Sequence, residues 1–197
     1  MRILSLIAVM LFVSSLTAPA WAGMVADCNQ ERDRELRISG CTVVIGSGRW
    51  QGKELAWAYF NRGTAYIDLG RHAQAIEDYG RVLRLDPGEA GAYNGRAWSL
   101  YLMGRNAEAL GDVDRALSLD SGDVRAIDTR AHVLAALGRQ SEALAEFERA
   151  MQAGGADWVR TYQEALAKHG YYVEGSYGTV TRGALAACLD AGCRVVE

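Results

Sequence analysis

Three stretches of equal length decide how this chain folds: GTAYIDLGRHAQAIEDYGRVLRLDP (Gly63–Pro87), AWSLYLMGRNAEALGDVDRALSLDS (Ala97–Ser121) and AHVLAALGRQSEALAEFERAMQAGG (Ala131–Gly155). Laid over one another they keep seven columns in register, and every column advances by one constant period: Gly63/Ala97/Ala131, Tyr66/Leu100/Leu134, Gly70/Gly104/Gly138, Ala75/Ala109/Ala143, Tyr79/Val113/Phe147, Val82/Ala116/Ala150 and Pro87/Ser121/Gly155. In the first copy Tyr59, Gly63, Tyr66 and Ile67 recur at three- and four-residue intervals and share one helix face, and Ala75, Tyr79, Val82 and Leu83 do the same for a second helix. Leu69-Gly70-Arg71 separates the two, because glycine readily takes the left-handed conformation that ends a helix. Asp86-Pro87 stops the second helix, since proline cannot continue it. One helical hairpin cannot bury its apolar face alone, so the copies must stack. A bundle of unrelated helices has no reason to hold a fixed period through its loops.

This period, with small residues where helices must touch, resembles the tetratricopeptide repeat. The resemblance implies an all-α, right-handed superhelix whose first helices line an inner surface. The positions it turns toward a ligand are Trp57, Phe60, Thr64, Ile67 and Asp68, then Asn94, Trp98 and Tyr101, then Arg125, Asp128 and His132. The family's clamp for C-terminal carboxylates needs Lys, Asn and Arg there. Only Arg125 keeps a basic residue, and Phe60, Thr64 and Gly95 depart from the pattern. The implied partner is therefore an unidentified protein or peptide laid into an aromatic, weakly polar groove. Packing of Trp57, Phe60 and Trp98 against neighbouring helices is the open alternative.

One polar column runs through the same copies. Arg62, Arg96 and Arg130 are each matched by an acid at one constant spacing further on, Asp78, Asp112 and Glu146. The spacing predicts an ion pair between the two helices of each hairpin. A row of arginines waiting for an anionic ligand is the rival, and the matching acids favour the pairs.

The start of the chain reads differently. Arg2, the apolar run Ile3 to Leu16 and the small residues around Ala20-Trp21-Ala22 describe a secretory signal peptide, residues 1–22, cleaved after Ala22. The run is too short to span a bilayer, so no stable membrane insertion is expected after cleavage, and export places the chain in the periplasm or envelope of a bacterium. Export makes disulfides durable. Cys28 and Cys41 precede the repeats and Cys188 and Cys193 come after them, a distribution that favours those two pairs among the three connectivities four cysteines allow. Leu36, Cys41 and Ile45 have helical spacing, which predicts a cap helix over Asp33 to Ile45 within residues 23–52, ahead of three repeats at 53–155.

In residues 156–197, Trp158, Val159, Tyr162, Ala165 and Leu166 continue a helical pattern to His169-Gly170, as though a fourth repeat had begun. The last forty or so positions resemble the peptidoglycan-binding domain of bacterial cell-wall proteins, through Gly170-Tyr171-Tyr172, Gly175, Tyr177-Gly178, Thr181 and Ala184-Leu185. The resemblance implies peptidoglycan as a partner, with Tyr171, Tyr172, Gly175, Tyr177, Gly178 and Thr181 nearest to it. Cys188 stands where the family ends its last helix on an aromatic residue. The alternative is a tail that only caps the solenoid.

Composition narrows the rest. The 21 Lys and Arg are dispersed and outnumbered by 24 Asp and Glu, for a net charge of −3, which gives nucleic acid no basic surface to recognise. His72, His132 and His169 have no ligand or triad spacing, no cysteine has metal-ligand neighbours, and no phosphate loop or nucleophile elbow is present. Neither metal, cofactor nor catalysis is expected. The reading is an exported interaction adaptor tethered near peptidoglycan, with a pure interaction module or an accessory of a wall hydrolase as rivals.

Overall fold

The structure, a computed structural model, describes residues 20–171 and 179–192. Among the described residues the chain is helical, with one 3-10 turn at Gly52–Leu55 and no strand. Helices α1 (Ala20–Asn29) and α2 (Arg34–Gly46) precede three hairpins. Their first helices are α3 (Ala56–Asp68), α5 (Ala90–Leu102) and α7 (Val124–Ala136). Their second helices are α4 (His72–Leu85), α6 (Asn106–Leu119) and the first half of α8 (Gln140–Lys168).

The glycine column makes every hairpin turn the same way. Gly70, Gly104 and Gly138 have φ of 68°, 75° and 76°, a region that side chains with a Cβ disfavour. The residue after each closes the helix with a long-reach bond: Arg71 N–H donates to the Tyr66 carbonyl at 2.8 Å, and Arg105 and Arg139 repeat it to Leu100 and Leu134 at 2.9 Å. Acidic side chains close the opposite ends. Asp33 accepts from Leu36 N–H, Glu89 from Gly91 N–H and Asp123 from Arg125 N–H, satisfying amides that the first turn leaves open.

The buried face of each second helix is the sequence column itself. Ala75, Tyr79 and Val82, then Ala109, Val113 and Ala116, then Ala143, Phe147 and Ala150 are all at most 2% exposed. The arginine column pairs as the spacing requires. Arg62 donates through Nε and Nη2 to Asp78, both at 2.8 Å, and Arg96 donates the same fork to Asp112 at 2.6 and 2.7 Å. Arg130 divides itself, giving Nη1 to Glu146 at 2.6 Å and Nε to Asp114 at 2.7 Å. Removing the hydrogen-bonded acid would leave a partly desolvated cation, so these pairs hold helix register more than they add net stability.

Gly155 breaks α8. Its φ of 67° and ψ of −154° lie in a region only glycine occupies readily, and the chain turns there without the four-residue loop found at 86–89 and 120–123. Residues 156–168 then take the place of a fourth first helix. α9 (Thr179–Asp190) packs on α8 and seals this end, with Leu185, Cys188 and Leu189 buried in one cluster with Ile127, Leu134, Phe147, Tyr162 and Leu166.

The other end is sealed by α2 on α3, as expected, and also by α1, a helix that the sequence pattern did not single out. It starts inside the segment assigned to the signal peptide, and the expected cleavage point after Ala22 falls in its first turn. The remainder of that segment, residues 1–19, lies outside the described residues. Cys28 of α1 and Cys41 of α2 form a disulfide across a separation of 13 residues, both fully buried with Val44 and Ala58. Cys188 is also disulfide-bonded, and its expected partner Cys193 lies outside the described residues.

Candidate groove on the first helices

Four of the residues expected to face a ligand come together. Trp98 and Tyr101 lie on α5 with ring centroids 5.2 Å apart, and the His132 ring of α7 stands 5.5 Å from Trp98 and 5.7 Å from Tyr101. Asp128, one turn before His132, has its Oδ1 3.5 Å from His132 Nε2. Two residues of α8 that the sequence assigned to other roles complete the cluster. Phe147 meets His132 edge to face at 5.0 Å, and Tyr162 meets Phe147 at 5.5 Å while donating its hydroxyl to Asp128 Oδ1. The helical period explains the convergence. Trp98 and Tyr101 are three apart and Asp128 and His132 four apart, so each pair shares a face.

The electrostatics of this cluster are set by burial. Tyr162 is fully buried, and both desolvation and the neighbouring Asp128 carboxylate drive its pKa far above the usual phenol value. It therefore remains a donor at every physiological pH. His132 is 2% exposed and its Nε2 finds no hydrogen-bond partner among the described residues, which is costly for a buried polar nitrogen. Beside it lies a recess of about 230 Å³ lined by Tyr101, Asn106, His132, Gln140, Phe147 and Leu189. Asn106 Oδ1 and Gln140 Oε1 are also buried, so three polar atoms around one recess lack a hydrogen-bond partner among the described residues.

The remaining expected positions are placed elsewhere. Trp57 packs edge-on against Trp50 at 6.1 Å and Phe60 against Tyr79 at 5.5 Å, and both line a separate recess of about 340 Å³ with Glu54 and Glu89. Thr64 Oγ1 lies 3.1 Å from the Tyr79 hydroxyl and is engaged in packing. Burial pushes that tyrosine up to about 12. Asp68 is paired with Arg34 at 3.0 Å, Asn94 Oδ1 is buried without a hydrogen-bond partner among the described residues, and Arg125 is exposed with its Nε 3.6 Å from Asp123. The row implied by the family resemblance thus divides into an N-terminal patch and the Trp98–His132 cluster.

In the C-terminal segment Tyr171 is half-buried and donates its hydroxyl to the Ala187 carbonyl at 3.2 Å, so it packs onto α9. Tyr172, Gly175, Tyr177 and Gly178 lie outside the described residues, and Thr181 is placed only as a position in α9. Among the described residues no group of His, Cys, Asp and Glu has the arrangement of a metal site, and no helix is long and apolar enough to cross a membrane.

Known proteins resemble this chain in one repeat and in fold. Residues 56–89 match the tetratricopeptide repeat family model. A tetratricopeptide repeat and J domain-containing co-chaperone of Cryptococcus neoformans is 44% identical over 39 residues, which is 20% of this chain and 8% of the relative. The chain thus matches less than a tenth of that curated relative's length. A double mutant of MamA from RS-1 superposes over 87% of this chain and 93% of its own at a TM-score of 0.63 and 13% identity. The first tetratricopeptide domain of Spaghetti (RPAP3), bound to an HSP90 peptide, superposes over 59% and 99% at 0.51 and 23% identity. Residues 56–89 thus match one tetratricopeptide repeat, and the all-helical fold of the described residues is that of a tetratricopeptide-like solenoid.

Proposed function

We propose that this chain is an exported protein–protein interaction adaptor that takes a peptide or a partner helix against the Trp98–Tyr101–Asp128–His132 cluster. The observation that carries the reading is the convergence of three aromatic rings and one carboxylate beside a recess ringed by partnerless polar atoms. Rings supply apolar contact area at little entropy cost, and the polar atoms supply orientation. Support also comes from a fold neighbour, Spaghetti, whose structure carries an HSP90 peptide. The departures at Phe60, Thr64 and Gly95 argue for a different peptide chemistry, an apolar side chain flanked by a hydrogen-bond donor for Asp128. Panning a random peptide library against the wild-type chain and against Trp98→Ala tests this. Sequences enriched by the first and lost by the second support it, and equal enrichment overturns it.

In the same reading the N-terminal segment directs export and the C-terminal segment holds the adaptor near peptidoglycan. Both rest on sequence resemblance. The packing of Tyr171 onto α9 favours a tail that caps the solenoid at that residue, leaving wall contact to Tyr172 and Tyr177. Co-sedimentation with purified sacculi, compared between wild type and Tyr172→Ala/Tyr177→Ala, tests the tether. A double variant that pellets as well as wild type overturns it.

A further inference from the structure

On the side built by the second helices, one column has a member missing. Gly80 in α4, Asp114 in α6 and Glu148 in α8 stand one repeat period apart. Each acid is taken by an arginine from a later element. Asp114 Oδ1 accepts from Arg130 Nε at 2.7 Å, and Glu148 Oε1 lies 2.5 Å from Arg182 Nε, paired by charge without hydrogen-bond alignment. In the first copy the acid is replaced by glycine, yet the arginine remains. Arg96 stands after Gly80 at the same spacing that separates Arg130 from Asp114.

The side chains around Gly80 are arranged for the absent carboxylate. Arg96 commits Nε and Nη2 to Asp112 and turns Nη1 toward Gly80. A Cβ at Gly80 would stand 4.0 Å from that Nη1 and 3.6 Å from Nη1 of Arg84, both ordinary contact distances. Arg81 lines the same recess, of about 470 Å³, with Ile76 and Glu77. Arg81 and Arg84 are exposed and make no ion pair among the described residues. Three guanidiniums therefore face one recess whose only lining acid among the described residues is Glu77, with Asp112 already serving Arg96. Guanidinium groups pair with carboxylates through parallel N–H donors, so the recess offers geometry as well as charge.

We propose that this recess is a docking subsite for an acidic peptide segment, one of whose Asp or Glu carboxylates enters beside Gly80, between Arg84 and Arg96, where Asp114 stands in the next copy. The site does not rest on the aromatic groove and lies on different helices' faces. The full chain binds the peptide through it, while Gly80→Asp supplies the carboxylate from within and closes it.

The test follows the arginine side-chain Nε–H resonances by NMR as a capped tetraglutamate peptide, or its tetraglutamine counterpart, is added at fixed ionic strength. The tetraglutamate peptide is expected to move Arg84 and Arg96, and the tetraglutamine peptide neither. Gly80→Ala, which adds volume without charge, should weaken binding less than Gly80→Asp does. Gly80→Asp should bind about tenfold more weakly or not at all, since one charge-assisted contact is lost, and should melt at a higher temperature. Arg84→Gln weakens binding in the same assay and serves if Gly80→Asp does not fold. Equal movement with both peptides, undiminished binding by Gly80→Asp, or movement of Arg125 in place of Arg84 and Arg96 would overturn the proposal.

Discussion

Asp128 accepts a hydrogen bond from the hydroxyl of Tyr162, one full repeat period further along the chain. The bond therefore joins equivalent columns of successive first helices and shows that residues 156–168 occupy a fourth first-helix position. It also fixes the acid that stands beside His132. Tyr162→Phe keeps the ring packing on Phe147 and removes only the donor. It should lower stability by about 1–3 kcal/mol, the cost of leaving a buried acceptor unpaired. Urea unfolding with an unchanged m-value is the check; a change below about 0.5 kcal/mol would mean that Asp128 finds another partner.

The arginine column should show the difference between buried and exposed pairs. The side chains of Arg62 and Asp78 are 16% and 6% exposed, whereas those of Arg105 and Glu108 are 45% and 59% exposed. Arg62→Ala should cost roughly 3–5 kcal/mol, whereas Arg105→Ala, which breaks a solvent-exposed pair, should leave the melting midpoint nearly unchanged. Equal, small shifts in melting midpoint for the two variants would dismiss the column as a structural device.

Alkaline pH should unfold the chain earlier than its charge alone would. The folded-state pKa of Tyr79 is raised to about 12 from 10.0 by burial, and that of Tyr162 is raised further. A tyrosine held neutral in the fold contributes stability that is fully present below its unfolded pKa and is lost as pH rises from there through the folded value. Stability should therefore begin to fall near pH 10, by about 1.4 kcal/mol per pH unit for each such tyrosine. Tyr79→Phe should make that slope shallower between pH 10 and 12. An unchanged slope would show that these phenols ionise in the fold without penalty.

Reduction should loosen the N-terminal cap. The Cys28–Cys41 bond closes a loop over a separation of 13 residues, and its removal should cost roughly 2–4 kcal/mol. Peptide mapping without reductant should recover the two cysteines in one linked fragment. Recovery of Cys28 joined to Cys188 would contradict the packing of α1 on α2.

The repeats were legible because each is written by columns that burial enforces: Ala75, Ala109 and Ala143 are all fully buried, and a larger side chain would hold the two helices apart at each of the three places. The arginine pairs were legible for the same reason, as two columns at a constant spacing. The aromatic cluster was legible only in part. Trp98, Tyr101, Asp128 and His132 follow from the face of the first helices, but Tyr162 carried two meanings. Its place one period after Asp128 was the signal that could have found it, and the resemblance of the C-terminal segment to another family drew it away. Helix α1 was hidden because AWAGMVADCN has weak amphipathic periodicity and begins where an export signal would end. Its helicity comes from packing on α2, which a local pattern cannot show.

The central claim is that partners bind on the first helices through the cluster around Trp98 and His132. The most direct measurement places a photo-crosslinking residue at Tyr101, on that face, and separately at Arg115, exposed on α6, in the full chain expressed in cells. Discrete protein adducts are expected from position 101 and not from position 115, and Trp98→Ala should abolish them. Adducts that form equally from both positions, or that survive Trp98→Ala, would contradict the account.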